Sequence, residues 1–204
     1  APGVPNVAVS PIAPQFVPST DLDAMLALPD DQLAAEDIAR INLLVAKEVT
    51  PSLDIERCVG ILDDLAAELQ RAVGLDQPVK GDAAAVERRL ASIAEILHGR
   101  KSLRYVDYAS SKDGNALYKD PQHLFLNGVL DRMKGTCVSM PVLYLALGER
   151  LGWPIEAVNA GDHVFCRWDD GVVVTTPKHV RDAHLQPIPL TAQPLPDPLL
   201  DPAE

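Results

Sequence analysis

Arg132-Met133-Lys134-Gly135-Thr136-Cys137-Val138-Ser139-Met140-Pro141 is the stretch whose reading decides this chain. An apolar run from Val142 to Leu151 follows it directly and predicts a helix over 138–151, stopped by Gly152. Proline is tolerated in a helix only in the first turn, so Pro141 forces the helix to begin within a few residues of Cys137. A thiol in that position feels the helix dipole, which favours the thiolate. Further along, Gly161-Asp162-His163-Val164-Phe165-Cys166-Arg167-Trp168 reads as a strand opened by a histidine. An imidazole brought to such a thiol can accept its proton and return it. Cys137 is the candidate nucleophile and His163 the candidate general base and acid. Gly135 and Thr136 are expected to leave backbone N–H groups free, with Thr136 and Cys137 forming the oxyanion region.

Upstream of this stretch the chain is helical in pattern from about 21. In 34–48, Ile38, Ile41, Leu44 and Val45 predict one apolar stripe, ended by Pro51. In 54–73, Ile55, Val59, Leu62, Ala66, Leu69 and Val73 recur at helical spacing, with Asp54 as N-cap and Gly74 beyond the end. In 82–98, Val86, Leu90, Ile93, Ala94 and Leu97 do the same, His98 falls at a C-terminus where a cation is favourable, and Gly99 stops the helix. The charged residues of these helices read as solvated faces. Residues 100–120 are polar and irregular and read as a long loop. Asp120-Pro121 opens a short helix through Met133.

Downstream, the period changes to that of strands. Ile155–Val158, His163–Trp168 and Val172–Thr176 are three candidates, the last two joined by a turn at Asp169-Asp170-Gly171. A two-residue turn puts Val174 and Thr176 on the His163 face; a three-residue turn puts Val173 and Thr175 there. Neither register supplies a carboxylate to orient the imidazole. Asp170 and Thr176 are the candidates for a third member, with Asp162, Asp169, Asn159 and Asp182 also near in sequence.

The chain has 204 residues, net charge −11 and pI near 4.8. Length and aliphatic content suit one domain with a helical core, taken as residues 21–185. Prolines mark both ends, giving a proline-rich leader (1–20) and a proline-rich tail (186–204). An acidic protein of this kind lacks the clustered basic residues that nucleic acid or an anionic membrane requires. No apolar run approaches the roughly 20 residues of a membrane span. Cys58, Cys137 and Cys166 form no Cys-x-x-Cys pair, and an odd count argues against a disulfide framework. Neither a metal nor a cofactor is called for; His179 and His184, five apart, lack supporting carboxylates. The Met-less start is compatible with a cleaved signal peptide, and the compartment is open.

Several segments together resemble the bacterial transglutaminase-like proteins of the SirB1 type: Tyr118 to Pro121, Leu126 to Leu145, Glu149 to Pro154, Gly161 to Trp168, and upstream Asp37 to Glu48. The resemblance spans about residues 34–168. It implies an α+β, papain-like or transglutaminase-like fold, with a helical N-terminal half and the Cys helix packed on a small antiparallel sheet. It implies Cys137 as nucleophile and His163 as its partner. In that family the strand after the His strand usually carries an acidic residue, which falls here on Val174. Two readings follow. One is a thiol hydrolase or acyl-transfer enzyme acting on a peptide, isopeptide or amide through a Cys–His pair. The other is a catalytically degenerate module that binds a peptide or protein in a groove formed by the 100–120 loop and Trp168. A weaker third is a structural protein whose proline tails dock aromatic grooves.

Overall fold

Three aspartates start the main helices, each accepting a hydrogen bond from a backbone N–H of the first turn. Asp37 takes Ala39 N (2.8 Å), Asp54 takes Arg57 N (3.0 Å) and Asp82 takes Ala85 N (2.9 Å). In the computed structural model of the chain these open α3 (Ile38–Val49), α4 (Ile55–Val73) and α5 (Ala83–Ile93), preceded by the short α1 (Leu22–Leu26) and α2 (Asp30–Leu33). The structure describes residues 22–74, 80–106, 120–159 and 164–175. The expected leader and tail, most of the 100–120 loop, His163, Thr176, His179 and His184 lie outside them.

After α5 the helix continues as a π turn, Ala94–Arg100, and then β1 (Arg104–Tyr105). A 3-10 turn (Pro121–His123) leads into α6 (Leu126–Arg132), β2 (Lys134–Gly135), α7 (Ser139–Leu151), β3 (Ile155–Asn159), β4 (Val164–Asp169) and β5 (Val174–Thr175). β1 and β2 form a parallel pair; β3, β4 and β5 form an antiparallel sheet in that order. The chain is thus α+β, mostly helical with two small sheets.

α7 is the centre of the fold and packs against α3, α4, α6, β3 and β4. This is why its sequence is apolar almost all round: Met140, Leu143, Tyr144, Ala146, Leu147 and Leu151 are all buried. On α3 the inward residues are Ala39, Leu43 and Ala46 together with Leu44, while Val45 is 38% exposed. The expected stripe is therefore rotated, because α7 and α6 cover the Leu43 side.

Charges also do more than solvate. Arg150 on α7 bonds Asp37 at the start of α3 (3.0 Å) and Asp63 on α4 (2.8 Å), and Glu149 accepts from Ile38 N (3.3 Å). Burial raises the Glu149 carboxyl, and the Ile38 N–H opposes that shift. His98 departs from expectation as well. Its Nδ1 meets Leu103 O (3.0 Å) and its Nε2 meets the Tyr144 hydroxyl (2.8 Å). Burial pushes its pKa down, so it is a neutral link from the π turn to α7 and not a cationic cap.

The β4–β5 hairpin matches neither expected register. Trp168 pairs with Thr175 and Asp169 with Val174, leaving a four-residue loop, Asp170 to Val173. Asp170 builds that loop: its carboxylate accepts from Val172 N (2.9 Å), Val173 N (2.7 Å) and, across the fold, Gly81 N (2.9 Å). The Gly81 bond, followed by the Val173 bond, pulls its pKa down to about 2. A depressed carboxylate stabilises the fold fully above the unfolded value of about 3.9 and loses that contribution as pH falls through the folded value. The melting-temperature gap between the protein and an Asp170→Asn variant is therefore expected to be constant above about pH 4 and to shrink between about pH 4 and 2. Parallel acid limbs in thermal melts would show that Asp170 does not clamp the hairpin.

Candidate active site

The turn bearing Cys137 is built by two hydroxyls. Met133, in the left-handed region (φ 50°), ends α6 and turns the chain into β2. β2 is held by Arg104 N to Met133 O (2.9 Å) and Val106 N to Gly135 O (2.8 Å). A Cβ at Gly135 would lie 2.3 Å from Met140 Cγ, so this glycine serves close packing under the turn. Thr136 and Ser139, both buried, then close a reciprocal cap. Thr136 Oγ1 accepts from Val138 N (3.2 Å) and Ser139 N (3.4 Å), and Ser139 Oγ accepts from Thr136 N (3.1 Å). Both hydroxyls reach the carbonyl of His123, at 3.2 Å from Thr136 and 2.8 Å from Ser139.

This box accounts for the N–H groups of the turn. Those of Thr136, Val138 and Ser139 are taken by hydroxyls, and Met140 N donates to Thr136 O (3.0 Å). Among the described residues, the Cys137 N–H has no hydrogen-bond partner. Of the two residues expected to form an oxyanion region, Thr136 has its N–H taken by Ser139 and Cys137 does not. The Cys137 side chain is a free thiol, neither buried nor fully exposed. Val138, 44% exposed, and Tyr105, 36% exposed, give the turn an apolar rim.

β4 runs along α7 with a definite direction. Its far end lies by the C-terminal half of the helix: Asp169 N donates to Pro154 O (2.9 Å), and Gly148, Glu149, Gly152, Asp169 and Asp170 line one cleft. Cys166, three residues nearer the start of the strand, donates its thiol to Pro141 O in the first turn of α7 (3.6 Å). Burial pushes that thiol up to about 12, which leaves it inert as a nucleophile. The sheet pairs through Asn159 and Val164, and residues 160–163, which set the direction of the imidazole, lie outside the described residues.

Of the residues singled out in the sequence, Cys137 stands at the start of α7 as expected. Asp170 does not belong beside it. It borders the C-terminal half of a helix of 13 residues, about 20 Å long, and its carboxylate is committed to the hairpin loop. Asp169 is committed too, to Arg167 (2.9 Å) and Gly171 N (2.9 Å). Val174 faces Asp169 and is exposed. Trp168 is fully buried, packs on Trp153 with ring centroids 6.1 Å apart and borders the same cleft as Asp169 and Asp170; residues 107–119 of the loop expected beside it lie outside the described residues. Ser139 and the His123 carbonyl were missed, although a Thr-x-x-Ser spacing before an apolar run is a legible capping pattern.

With the thiol turn and its sheet in place, comparison with known proteins gives the class. The transglutaminase-like superfamily profile matches residues 56–187, and the chain belongs to that superfamily. The chain is similar to F-box only protein 21 of Homo sapiens, 28% identical over 120 residues, covering 58% of this chain and 19% of that protein. It is similar to the mouse protein of the same name, 38% identical over 72 residues, 34% of this chain and 12% of the relative. A UPF0162 protein of Xylella fastidiosa (strain 9a5c) is 36% identical over 62 residues, 29% of this chain and 22% of the relative. The match spans about a fifth of the length of human F-box only protein 21. No solved structure matches the chain.

Proposed function

We propose that the chain is a thiol-dependent acyl-transfer enzyme of papain-like type, similar to the SirB1-type proteins, that hydrolyses a peptide, isopeptide or amide. The observation that supports it is the N–H accounting: the capped turn leaves one donor unpaired, and it belongs to the residue bearing the thiol. His163 takes the proton of Cys137, and Sγ attacks the acyl carbon. The carbonyl electrons move to oxygen, held by the Cys137 N–H. As the C–N bond breaks, His163 gives the proton to the leaving amine. Water, deprotonated by His163, then cleaves the thioester; an amine in its place yields a cross-link.

The course of β4 supports the pairing. From Asp169 to Cys166 the strand moves toward the start of α7, and His163 is three residues, at most about 10 Å of chain, beyond Cys166. Cys137 precedes Pro141 by about one helical turn, so strand and helix lead to the same end of the fold. The superfamily membership supports a fold suited to this chemistry. The lack of a carboxylate at Val174 favours the second reading, a peptide- or protein-binding module on the same fold. Alkylation of Cys137 across pH, with and without His163, decides between them.

A further inference from the structure

Arg104 and Lys134 are direct register partners in the β1–β2 pair. Side chains so paired share a face about 5 Å apart, and like charges there repel. Both residues are exposed. The Arg104 guanidinium donates to two neutral carbonyls, His98 O (2.9 Å) and Leu103 O (3.2 Å). Among the described residues, the Lys134 ammonium has no hydrogen-bond or ion-pair partner. Neighbouring cations are matched: Arg132 with Asp120 (2.6 Å), Arg57 with Asp131 (2.8 Å), Lys101 with Glu68 (2.9 Å). In a chain of 29 acidic and 18 basic residues, an adjacent pair of cations with no carboxylate among the described residues is conspicuous. Lys134 lies in the strand that runs into Cys137 two residues after its end.

We propose that the site takes an acidic peptide, with an Asp or Glu carboxylate held between Lys134 and Arg104 while the neighbouring acyl carbonyl lies at Cys137. This rests on the acyl-transfer reading and names its substrate class. The carboxylate relieves the repulsion of the two cations, and the apolar rim of Tyr105 and Val138 covers the adjoining main chain. Because both cations are exposed, the selectivity is moderate and falls with salt.

Three matched probes test it on the full chain: Ac-Glu-Glu-Gly, Ac-Gln-Gln-Gly and Ac-Lys-Lys-Gly chloromethyl ketones, with Cys137 alkylation followed by mass spectrometry. The acidic probe is expected to react about fivefold or more faster than the Gln probe at low salt, and the Lys probe slower than both. The preference should disappear at 0.5 M salt, to about twofold or less, and should reverse in Lys134→Glu. Lys134→Gln, a milder change at an exposed position, should abolish it. Equal rates for the Glu and Gln probes at low salt, with Cys137 otherwise reactive, overturn the acidic-substrate proposal and leave the acyl-transfer reading standing. Failure of all three probes and of neutral iodoacetamide overturns both.

Discussion

Gly128→Ala is expected to lower the melting temperature by about 10 °C, the equivalent of at least about 3 kcal/mol for a chain of this size. A Cβ at Gly128 would stand 1.7 Å from the carbonyl oxygen of Gln122 and 2.6 Å from its carbon. Those are backbone atoms of the 3-10 turn, so no rotamer change relieves the clash. α6 must move away from that turn, and the movement acts on His123, whose carbonyl anchors Thr136 and Ser139. Asn42 resists it, since its Oδ1 holds Leu126 N at 2.8 Å. Gly60 gives the control. It lies in α4 with nothing within 4 Å of an added Cβ, and Gly60→Ala should stabilise the protein by about 0.5–1 kcal/mol through helix propensity. Equal melting temperatures for Gly128→Ala and the parent chain would contradict the close approach of α6 to residues 121–123.

Thr136→Val keeps the shape of the side chain and removes its hydroxyl. Two N–H groups of the turn lose their acceptor, and the expected cost is about 1–3 kcal/mol. The larger effect falls on Cys137. Without the Thr136 hydroxyl, residues 136–138 are held less firmly, and alkylation of Cys137 should slow by about tenfold or more. Thr136→Ser retains the oxygen and should retain the rate. A Thr136→Val protein that alkylates like its parent would mean that the cap stabilises α7 without positioning the thiol.

Much of this arrangement is legible in the residues. The cap at Asp54, the helix forced to start by Pro141, and the strands through Ile155–Val158 and Val164–Trp168 follow from local chemistry that a short window contains. What escapes reading has its cause elsewhere in the chain. The Arg150–Asp37 pair joins residues 113 apart, so charges that look solvated in each helix meet only after packing. β1 and β2 are two residues each, too short to show a period. The hairpin loop has four residues because Asp170 captures the N–H groups of Val172 and Val173, a choice that the Asp-Asp-Gly dipeptides leave open. His98 looks like a cationic cap until Tyr144 is brought to its ring. The site divides in the same way: Cys137 announces itself through Gly135 and Pro141 and the cap through its Thr-x-x-Ser spacing, whereas the His123 carbonyl that anchors both hydroxyls is met only after packing.

The central claim is that Cys137 and His163 form a working pair. The measurement is iodoacetamide labelling of the native protein across pH, with Cys137 read by mass spectrometry in the parent and in His163→Ala. The buried Cys58 and Cys166 serve as unreactive internal references. The account predicts fast labelling of Cys137 near pH 6 and a loss of about 100-fold or more in His163→Ala. A Cys137 that is inert, or that in both proteins gains reactivity only near pH 8.5 like an ordinary thiol, would contradict it and leave the binding module as the reading of this fold.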